Sequence, residues 1–270
     1  MNITAKTKIC MVIGDPVEHS LSPRMHNAGY EALHIDGHYV YVGCHVDVNH
    51  IEDFVKGIRA MGIRGVSCTL PHKLAVMPYL DEIDDIAQKI GAVNTIVNEN
   101  GKLIGSNTDW LGILEPLQQV TDLPGKRVAV LGAGGAARAA AYAVTSQHAN
   151  LMIFNRTKEK AEKLASEFDG KAYALDDYEA IKSADIIINT TSVGLKNENE
   201  TPLPKKYIIK NHIVFDVVYS AHPTQIITDA KEKEAKTITG IEMLLHQGFA
   251  QFNLFTGHDA PKDAMRKALV

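Results

Sequence analysis

The stretch of the chain that decides the fold, residues 127–137, reads RVAVLGAGGAA. An apolar strand at Arg127–Leu131 is followed at once by small residues and then by an alanine-rich helix. Gly132, Gly134 and Ala137 fit the pattern G-x-G-x-x-G/A, which permits a tight turn, close approach of a pyrophosphate, and packing of the helix on the strand. The stretch predicts a parallel α/β domain with a dinucleotide site at this turn, rather than a purely structural turn. The residues expected to line the phosphate site are Gly132, Ala133, Gly134, Gly135 and Ala136.

The tip of the next predicted strand, at 151–154, indicates which dinucleotide is bound. NAD enzymes usually carry Asp or Glu there for the ribose 2′-hydroxyl. This chain has no acid at that point and carries instead Asn155, Arg156, Thr157, Lys158 and Lys160. A guanidinium with nearby ammonium groups suits a 2′-phosphate, so the sequence favours NADP. A solvated helix face is the alternative, and it suits Lys158 better than Arg156 or Lys160.

Apolar strands alternate with amphipathic helices almost throughout, which is typical of βαβ units and a parallel sheet. The pattern predicts strands at 8–14, 38–46, 66–70, 127–131, 151–154, 186–189 and 213–218, and a hairpin of 93–97 with 102–105. It predicts helices at 22–33, 51–61, 73–80, 83–90, 110–120 and 243–255, with Ser22 as the N-cap of the first, and a short final segment at 263–269.

A breaker pair, Pro124-Gly125, marks a change in the character of the chain. We therefore expect a two-domain α/β protein with a cleft between the domains. A substrate-binding domain is expected at 1–107, completed at 241–270 by the final helix and the short segment that follows it. A Rossmann-like domain is expected at 108–240.

Composition excludes several classes of protein. The chain has 270 residues, 45% of them hydrophobic, and a formal net charge of −4, which argues against nucleic acid as the main partner. No signal peptide or membrane span is predicted, and three cysteines without a C-x-x-C pair favour a reducing cytoplasm. No metal motif is found among the twelve histidines.

Two serines directly after the first strand form the first polar group. Ser20 and Ser22 lie where a helix begins and where backbone N–H groups have no helical acceptor. Two hydroxyls beside such N–H groups suit a carboxylate or a phosphate. N-capping alone would explain Ser22 but would leave Ser20 unexplained.

Two further polar groups follow. Ser67 and Thr69 share one face of a strand, and Lys73 lies just past the strand end that faces the ligand crevice in open α/β sheets. Asn94 and Asp109 add an amide and a carboxylate. Solvent exposure of Lys73 and N-capping by Asp109 are the ordinary alternatives. Together, these groups supply polar side chains of several kinds to one site.

The ordered motifs resemble those of the shikimate dehydrogenase family over nearly the whole chain. The family's S-x-S, N-V-T-x-P-x-K, G-A-V-N-T, N-T-D-x-x-G, G-A-G-G-A and N-R-T match, in order, residues 20–22, 67–73, 91–95, 107–112, 132–136 and 155–157. Residues 216–219 and 240–247 fit its last cofactor and substrate segments. The resemblance implies NADP-dependent, reversible reduction of 3-dehydroshikimate to shikimate, in aromatic amino-acid biosynthesis by way of chorismate.

The resemblance also implies roles for single residues. Lys73 and Asp109 would form the catalytic pair, with Lys73 exchanging the proton and Asp109 orienting it. The ring carboxylate would bind Ser20 and Ser22. The other substrate-binding residues would be Ser67, Thr69, Asn94, Asp109, Tyr219 and Gln247. Val217 and Gly240 would line the nicotinamide pocket.

Two departures from the family pattern leave alternatives open. The family's Asn is Ser67 here, so a quinate or aminoshikimate enzyme remains an alternative substrate assignment. The family often has Asn-Pro after the tyrosine, where residues 220–224 read SAHPT.

A folate-type NADP dehydrogenase conflicts with Ser20 and Ser22. A non-catalytic NADP-binding sensor would be expected to lack Lys73 or Asp109. A monomer and a homodimer are both compatible with the sequence.

Overall fold

The computed structural model describes residues 3–197, 199–220 and 222–269. Ala221, in the segment that departs from the family's Asn-Pro, lies outside the described residues, as do Met1 and Asn2 of the N-terminus predicted to carry no signal peptide. The chain forms two compact units, Met1–Asp109 with Leu244–Val270, and Trp110–Met243. Each unit has its own sheet, and the predicted α/β class is confirmed.

Strands and helices alternate along most of the chain. The strands are β1 (Lys8–Gly14), β2 (Tyr39–His45), β3 (Gly65–Cys68), β4 (Glu82–Ile83), β5 (Thr95–Glu99), β6 (Lys102–Ser106), β7 (Arg127–Leu131), β8 (Asn150–Asn155), β9 (Lys171–Ala174), β10 (Ile186–Asn189), β11 (Ile213–Asp216) and β12 (Lys236–Ile238). The helices are α1 (Ser22–Ala32), α2 (Ile51–Met61), α3 (His72–Ala75), α4 (Asp85–Ile90), α5 (Asp109–Gln118), α6 (Gly135–Thr145), α7 (Lys158–Glu167), α8 (Tyr178–Lys182), α9 (Gln225–Glu232), α10 (Gly240–Thr256) and α11 (Lys262–Lys267).

The first unit has a mixed sheet in the order β2-β1-β3-β5-β6-β4. Strands β1, β2 and β3 are parallel, whereas β5 runs antiparallel to both β3 and β6. The predicted hairpin is β5–β6, and it turns at Asn100 and Gly101. Both residues have positive φ, 55° and 94°, the backbone geometry that a two-residue hairpin turn requires.

The second unit has an all-parallel sheet in the order β12-β11-β10-β7-β8-β9. This is the strand order of the doubly wound dinucleotide-binding fold, read from its far edge. Alternation along each strand divides the core between the two faces of the sheet. Val128 and Val130 pack in one buried cluster, whereas Ala129 and Leu131 pack in another.

The predicted N-cap of α1 is wrong. Leu21, with φ −85° and ψ −5°, holds the capping position without a side-chain hydrogen bond, and Ser22 is already helical. The Ser22 N–H donates instead to Ser20 Oγ over 3.4 Å. Among the described residues, no helix is both long and apolar enough to cross a membrane.

Candidate active site

A buried ion pair joins two elements of the first unit. Lys73 lies on the short helix α3, directly after β3, and Asp109 is the first residue of α5. Nζ of Lys73 donates to Oδ2 of Asp109. The side chains are only 16% and 5% exposed, so solvent screens this pair less than a surface pair. Solvent exposure does not describe Lys73, because this residue is largely buried. N-capping alone does not describe Asp109, because side chains bind its carboxylate.

Asn94 orients the same carboxylate from the other side. Its Nδ2 donates to Oδ1 of Asp109 over 2.9 Å, and its Oδ1 accepts from the Thr108 N–H over 2.7 Å. The Asp109 N–H donates to Oδ1 of Asn107 over 3.0 Å. Because each partner is itself buried, Asp109 is held in one orientation.

Gln247 on α10 lies at the edge of this group. Its Oε1 is 3.5 Å from Nδ2 of Asn94, and its Nε2 donates to the Leu244 carbonyl over 2.8 Å. The structure thus brings Lys73, Asn94, Asp109 and Gln247 into one connected cluster. A lysine, a carboxylate and two amides can together bind a polyhydroxylated molecule and exchange a proton with it.

Ser20, Ser22 and Thr69 follow the carboxyl ends of two paired strands, β1 and β3, whereas Ser67 lies within β3. The Thr69 N–H donates to the Ile13 carbonyl over 2.9 Å, which extends the pairing past β3. A Cβ on Gly14 would lie 2.6 Å from Cγ2 of Thr69, so any side chain at position 14 would displace Thr69. Ser20 and Ser22 lie beyond Gly14, at the start of α1.

Cys68, which precedes this segment, is not suited to act as a nucleophile. Burial raises the pKa of its thiol to about 12, against a smaller lowering effect of Lys73. The thiolate is the reactive form of cysteine, and it would be scarce at neutral pH. In the described parts of the chain, no three His, Cys, Asp or Glu side chains are grouped so that they could hold a metal ion.

The glycine turn of the second unit has the geometry of a phosphate cradle. Gly132 has φ +113°, and a Cβ there would lie 2.7 Å from Oγ1 of Thr190. Gly134 is the N-cap of α6, and a Cβ on it would meet no atom within 4 Å. An open approach to N–H groups at the start of an eleven-residue helix fits a pyrophosphate.

The predicted 2′-phosphate residues follow β8, the neighbour of β7. Nδ2 of Asn155 donates to the Thr157 carbonyl over 2.9 Å and so shapes the loop around the exposed Arg156. Lys158 lies 3.6 Å from Glu162, as expected for a solvated helix face. Arg156 and Lys160 are exposed and make no ion pair with the residues described, which leaves both cations able to bind an anion.

A buried aspartate that the sequence did not single out holds the start of segment 216–219, which contains the predicted cofactor residue Val217. Asp216, at the end of β11, accepts hydrogen bonds from Thr224 Oγ1 over 2.5 Å, from Asn189 Nδ2 over 2.8 Å and from the Val218 N–H over 3.1 Å. Burial raises the pKa of Asp216 to about 6, although all three donors lower it. The signal that could have revealed it is a polar residue ending an otherwise apolar strand.

The residues after Asp216 line a pocket of about 200 Å³ that includes Val218, Tyr219, Thr224 and Gly240. A Cβ on Gly240 would lie 2.5 Å from the Val218 carbonyl oxygen and 2.6 Å from that of Val217. Backbone atoms cannot yield as a flexible side chain can, so the contact requires glycine. The structure thus brings Val217, Tyr219 and Gly240 together in one part of the second unit.

Comparison with known proteins identifies the class. Family models match the chain along most of its length: "Shikimate dehydrogenase substrate binding domain" at residues 12–96, "Shikimate / quinate 5-dehydrogenase" at 115–244 and "Shikimate 5'-dehydrogenase C-terminal domain" at 240–270. A shikimate dehydrogenase (NADP(+)) of Moorella thermoacetica is 41% identical over 281 residues, which cover 100% of this chain and 95% of the relative. The chain belongs to the shikimate dehydrogenase family.

Solved structures agree with this assignment. Shikimate dehydrogenase from Aquifex aeolicus has a TM-score of 0.92 and 38% identity, covering 98% of each chain. The Thermus thermophilus enzyme, solved in complex with NADP(H) and shikimate, has a TM-score of 0.89 and 36% identity, covering 97% of this chain and 98% of that one. The fold is therefore shared with enzymes that carry a substrate domain and a Rossmann-like NADP-binding domain.

Proposed function

We propose that this chain catalyses the reversible, NADP-dependent oxidation of shikimate to 3-dehydroshikimate, which in the reductive direction serves aromatic amino-acid biosynthesis. The observation that carries the proposal is the buried cluster of Lys73, Asp109 and Asn94. The full-length relatives named for this activity support it. We assign substrate binding to 1–107 with 241–270 and cofactor binding to 108–240, and we expect a monomer or homodimer in the cytoplasm.

The proposed chemistry uses Lys73 for the proton. Oxidation of a ring alcohol removes a hydride from carbon and a proton from the hydroxyl, and Lys73 in its neutral form accepts that proton. Asp109 orients Lys73 and accepts a hydrogen bond from a ring hydroxyl. When bound, NADP supplies a hydride acceptor for oxidation or, in its reduced form, a hydride donor for reduction.

The remaining predicted residues would hold the reactants. Ser20 and Ser22 are assigned to the ring carboxylate, and Ser67, Thr69, Asn94, Gln247 and Tyr219 to the ring hydroxyls or their surroundings. The cofactor residues are assigned as Gly132, Ala133, Gly134, Gly135, Ala136, Asn155, Arg156, Thr157, Lys160, Val217 and Gly240. The open Gly134 approach and the exposed Arg156 support the phosphate assignments.

Ser67 favours a second candidate substrate, because it departs from the family's Asn at a position assigned to a ring hydroxyl. Quinate and aminoshikimate are therefore the competing substrates. The test is initial-rate turnover of shikimate, quinate and aminoshikimate, each with NADP and with NAD. The proposal predicts the highest kcat/KM for shikimate with NADP. A preference for quinate or for NAD would contradict it, and NADP binding without any turnover would favour a sensor.

A further inference from the structure

Ser67 has its hydroxyl held from two sides. Tyr41 on β2 donates to Oγ of Ser67 over 2.6 Å, and Ser67 donates in turn to Oε1 of Gln251 on α10 over 2.7 Å. Ser67 is 5% exposed and Gln251 is 1% exposed. The family pattern has a side-chain amide at position 67, where this chain has Ser67. Gln251 on α10 supplies an amide close to that position.

Gln251 also reaches the residues that orient the catalytic carboxylate. Its Nε2 donates to Oγ1 of Thr95 over 2.9 Å and to the Asn94 carbonyl over 3.2 Å. Thr95 donates to Oδ1 of Asn94 over 2.7 Å, and Asn94 donates to Asp109. A continuous chain of hydrogen bonds thus runs from Tyr41 through Gln251 to Asp109.

The donor and acceptor directions in this series of hydrogen bonds are fixed by backbone groups that can only donate or only accept. The Asn94 carbonyl can only accept, so the amide nitrogen of Gln251 faces it and Oε1 faces Ser67. The Thr108 N–H can only donate, so Oδ1 of Asn94 faces it and Nδ2 faces Asp109. A buried network in which every member is satisfied holds one arrangement rather than several.

We propose that Gln251 is a positioning residue that replaces the amide of the family's Asn, orients Asn94 and fixes Ser67 as a hydrogen-bond acceptor. The Ser67 hydroxyl donates its proton to Gln251, and one of its lone pairs accepts from Tyr41. Its remaining lone pair can accept from a ring hydroxyl, whereas the Asn of the family can also donate. The inference rests on the proposed function, because the ring hydroxyls are those of its substrate.

A double-mutant cycle of Ser67→Asn and Gln251→Ala tests the exchange of amides. Ser67→Asn alone places a carboxamide where Oγ already contacts Tyr41 and Gln251. Gln251→Ala alone removes the acceptor of the Ser67 hydroxyl and the amide that donates to Thr95. Each single variant should lower kcat/KM for shikimate about tenfold, as expected for one hydrogen bond. The double variant should return to within about threefold of the wild type, because the new amide fills the vacated space. Additive losses would overturn the proposal.

Further measurements separate positioning from stability. Gln251→Met keeps the volume without the amide and should lose kcat/KM as Gln251→Ala does. Asn253→Ala is the matched control on the same helix, because the exposed Asn253 side chain accepts from the Ala260 N–H over 2.7 Å and makes no other side-chain hydrogen bond among those described. It should lower Tm without changing kcat/KM. Wild-type kcat/KM in Gln251→Met would reduce Gln251 to a structural role. A wild-type protein that does not turn over shikimate would instead reject the proposed function.

Discussion

Lys73 and Asp109 form a buried ion pair in which Nζ donates to Oδ2, while the other carboxylate oxygen accepts from Asn94 over 2.9 Å. An ionised carboxylate offers about four acceptor positions, so two remain after these contacts. Asp109 can therefore orient Lys73 and still accept a hydroxyl of the substrate. Removing one partner of such a pair leaves the other charge buried, which makes each residue sensitive to substitution.

Arg156→Asp should reverse the cofactor preference. Loss of a charge-assisted hydrogen bond weakens binding by roughly 1.5–3 kcal/mol, so KM for NADPH should rise at least about tenfold. The new carboxylate suits a ribose 2′-hydroxyl, so KM for NADH should change little or fall. Lys158→Asp is the control, since Lys158 lies near Glu162. Steady-state assays with both cofactors check this, and equal losses for NADPH and NADH would reject the 2′-phosphate assignment.

His26 should make the protein less stable in acid. The ring is fully buried, stacks on Tyr41 at 4.3 Å between centroids, and has no hydrogen-bond partner for either nitrogen within the described structure. Burial lowers its pKa from 6.5 to about 3. Below pH 6.5 the unfolded chain binds a proton that the folded chain does not, so the free energy of unfolding falls as pH falls, until about pH 3.

His26→Phe should remove this dependence. Relative to His26→Phe, the wild type should lose roughly 2–3 kcal/mol of stability between pH 6.5 and 4.5, at about 1.4 kcal/mol per pH unit. Urea unfolding of both proteins at the two pH values measures the difference. Parallel pH profiles for the two proteins would show that His26 is protonated in the folded state.

Asp216 should act with the opposite sign. Its folded pKa, about 6, lies above the ordinary 3.8, so between these values the folded chain binds the extra proton. Relative to Asp216→Asn, the wild type should gain roughly 2 kcal/mol of stability between pH 7 and pH 4. The same unfolding experiment serves as the check. Destabilisation of the whole protein by acid could not change stability in opposite directions at His26 and Asp216. A wild type that loses stability relative to Asp216→Asn as the pH falls would contradict the raised pKa of Asp216.

Much of the fold follows from local pattern. The sequence predicts β1, α2, β7 and β10 with the bounds observed, because each is a continuous apolar run or a regular amphipathic stretch. The short strands β4, β9 and β12 were not predicted. They are two to four residues long and partly exposed, so they carry no apolar pattern of their own. Their pairing depends on neighbouring strands that are distant in sequence.

The candidate site also contains some residues that the sequence predicts and some that it does not. Lys73, Asp109 and the glycine turn stand out because each follows a predicted strand or begins a helix. The partners of Ser67 do not stand out, since Tyr41 and Gln251 are 26 and 184 residues away. Single polar residues on a strand and on a helix gain meaning only when folding brings them together.

The most direct test of the account is the rate of shikimate oxidation by Lys73→Met with saturating NADP. We predict that kcat falls at least about 100-fold, the usual contribution of a general acid–base residue, while KM for shikimate stays within a few-fold because Asp109 and Asn94 still bind the ring. Lys89→Met, which removes an exposed lysine on α4, should retain wild-type kcat. A near-normal kcat in Lys73→Met would contradict the account.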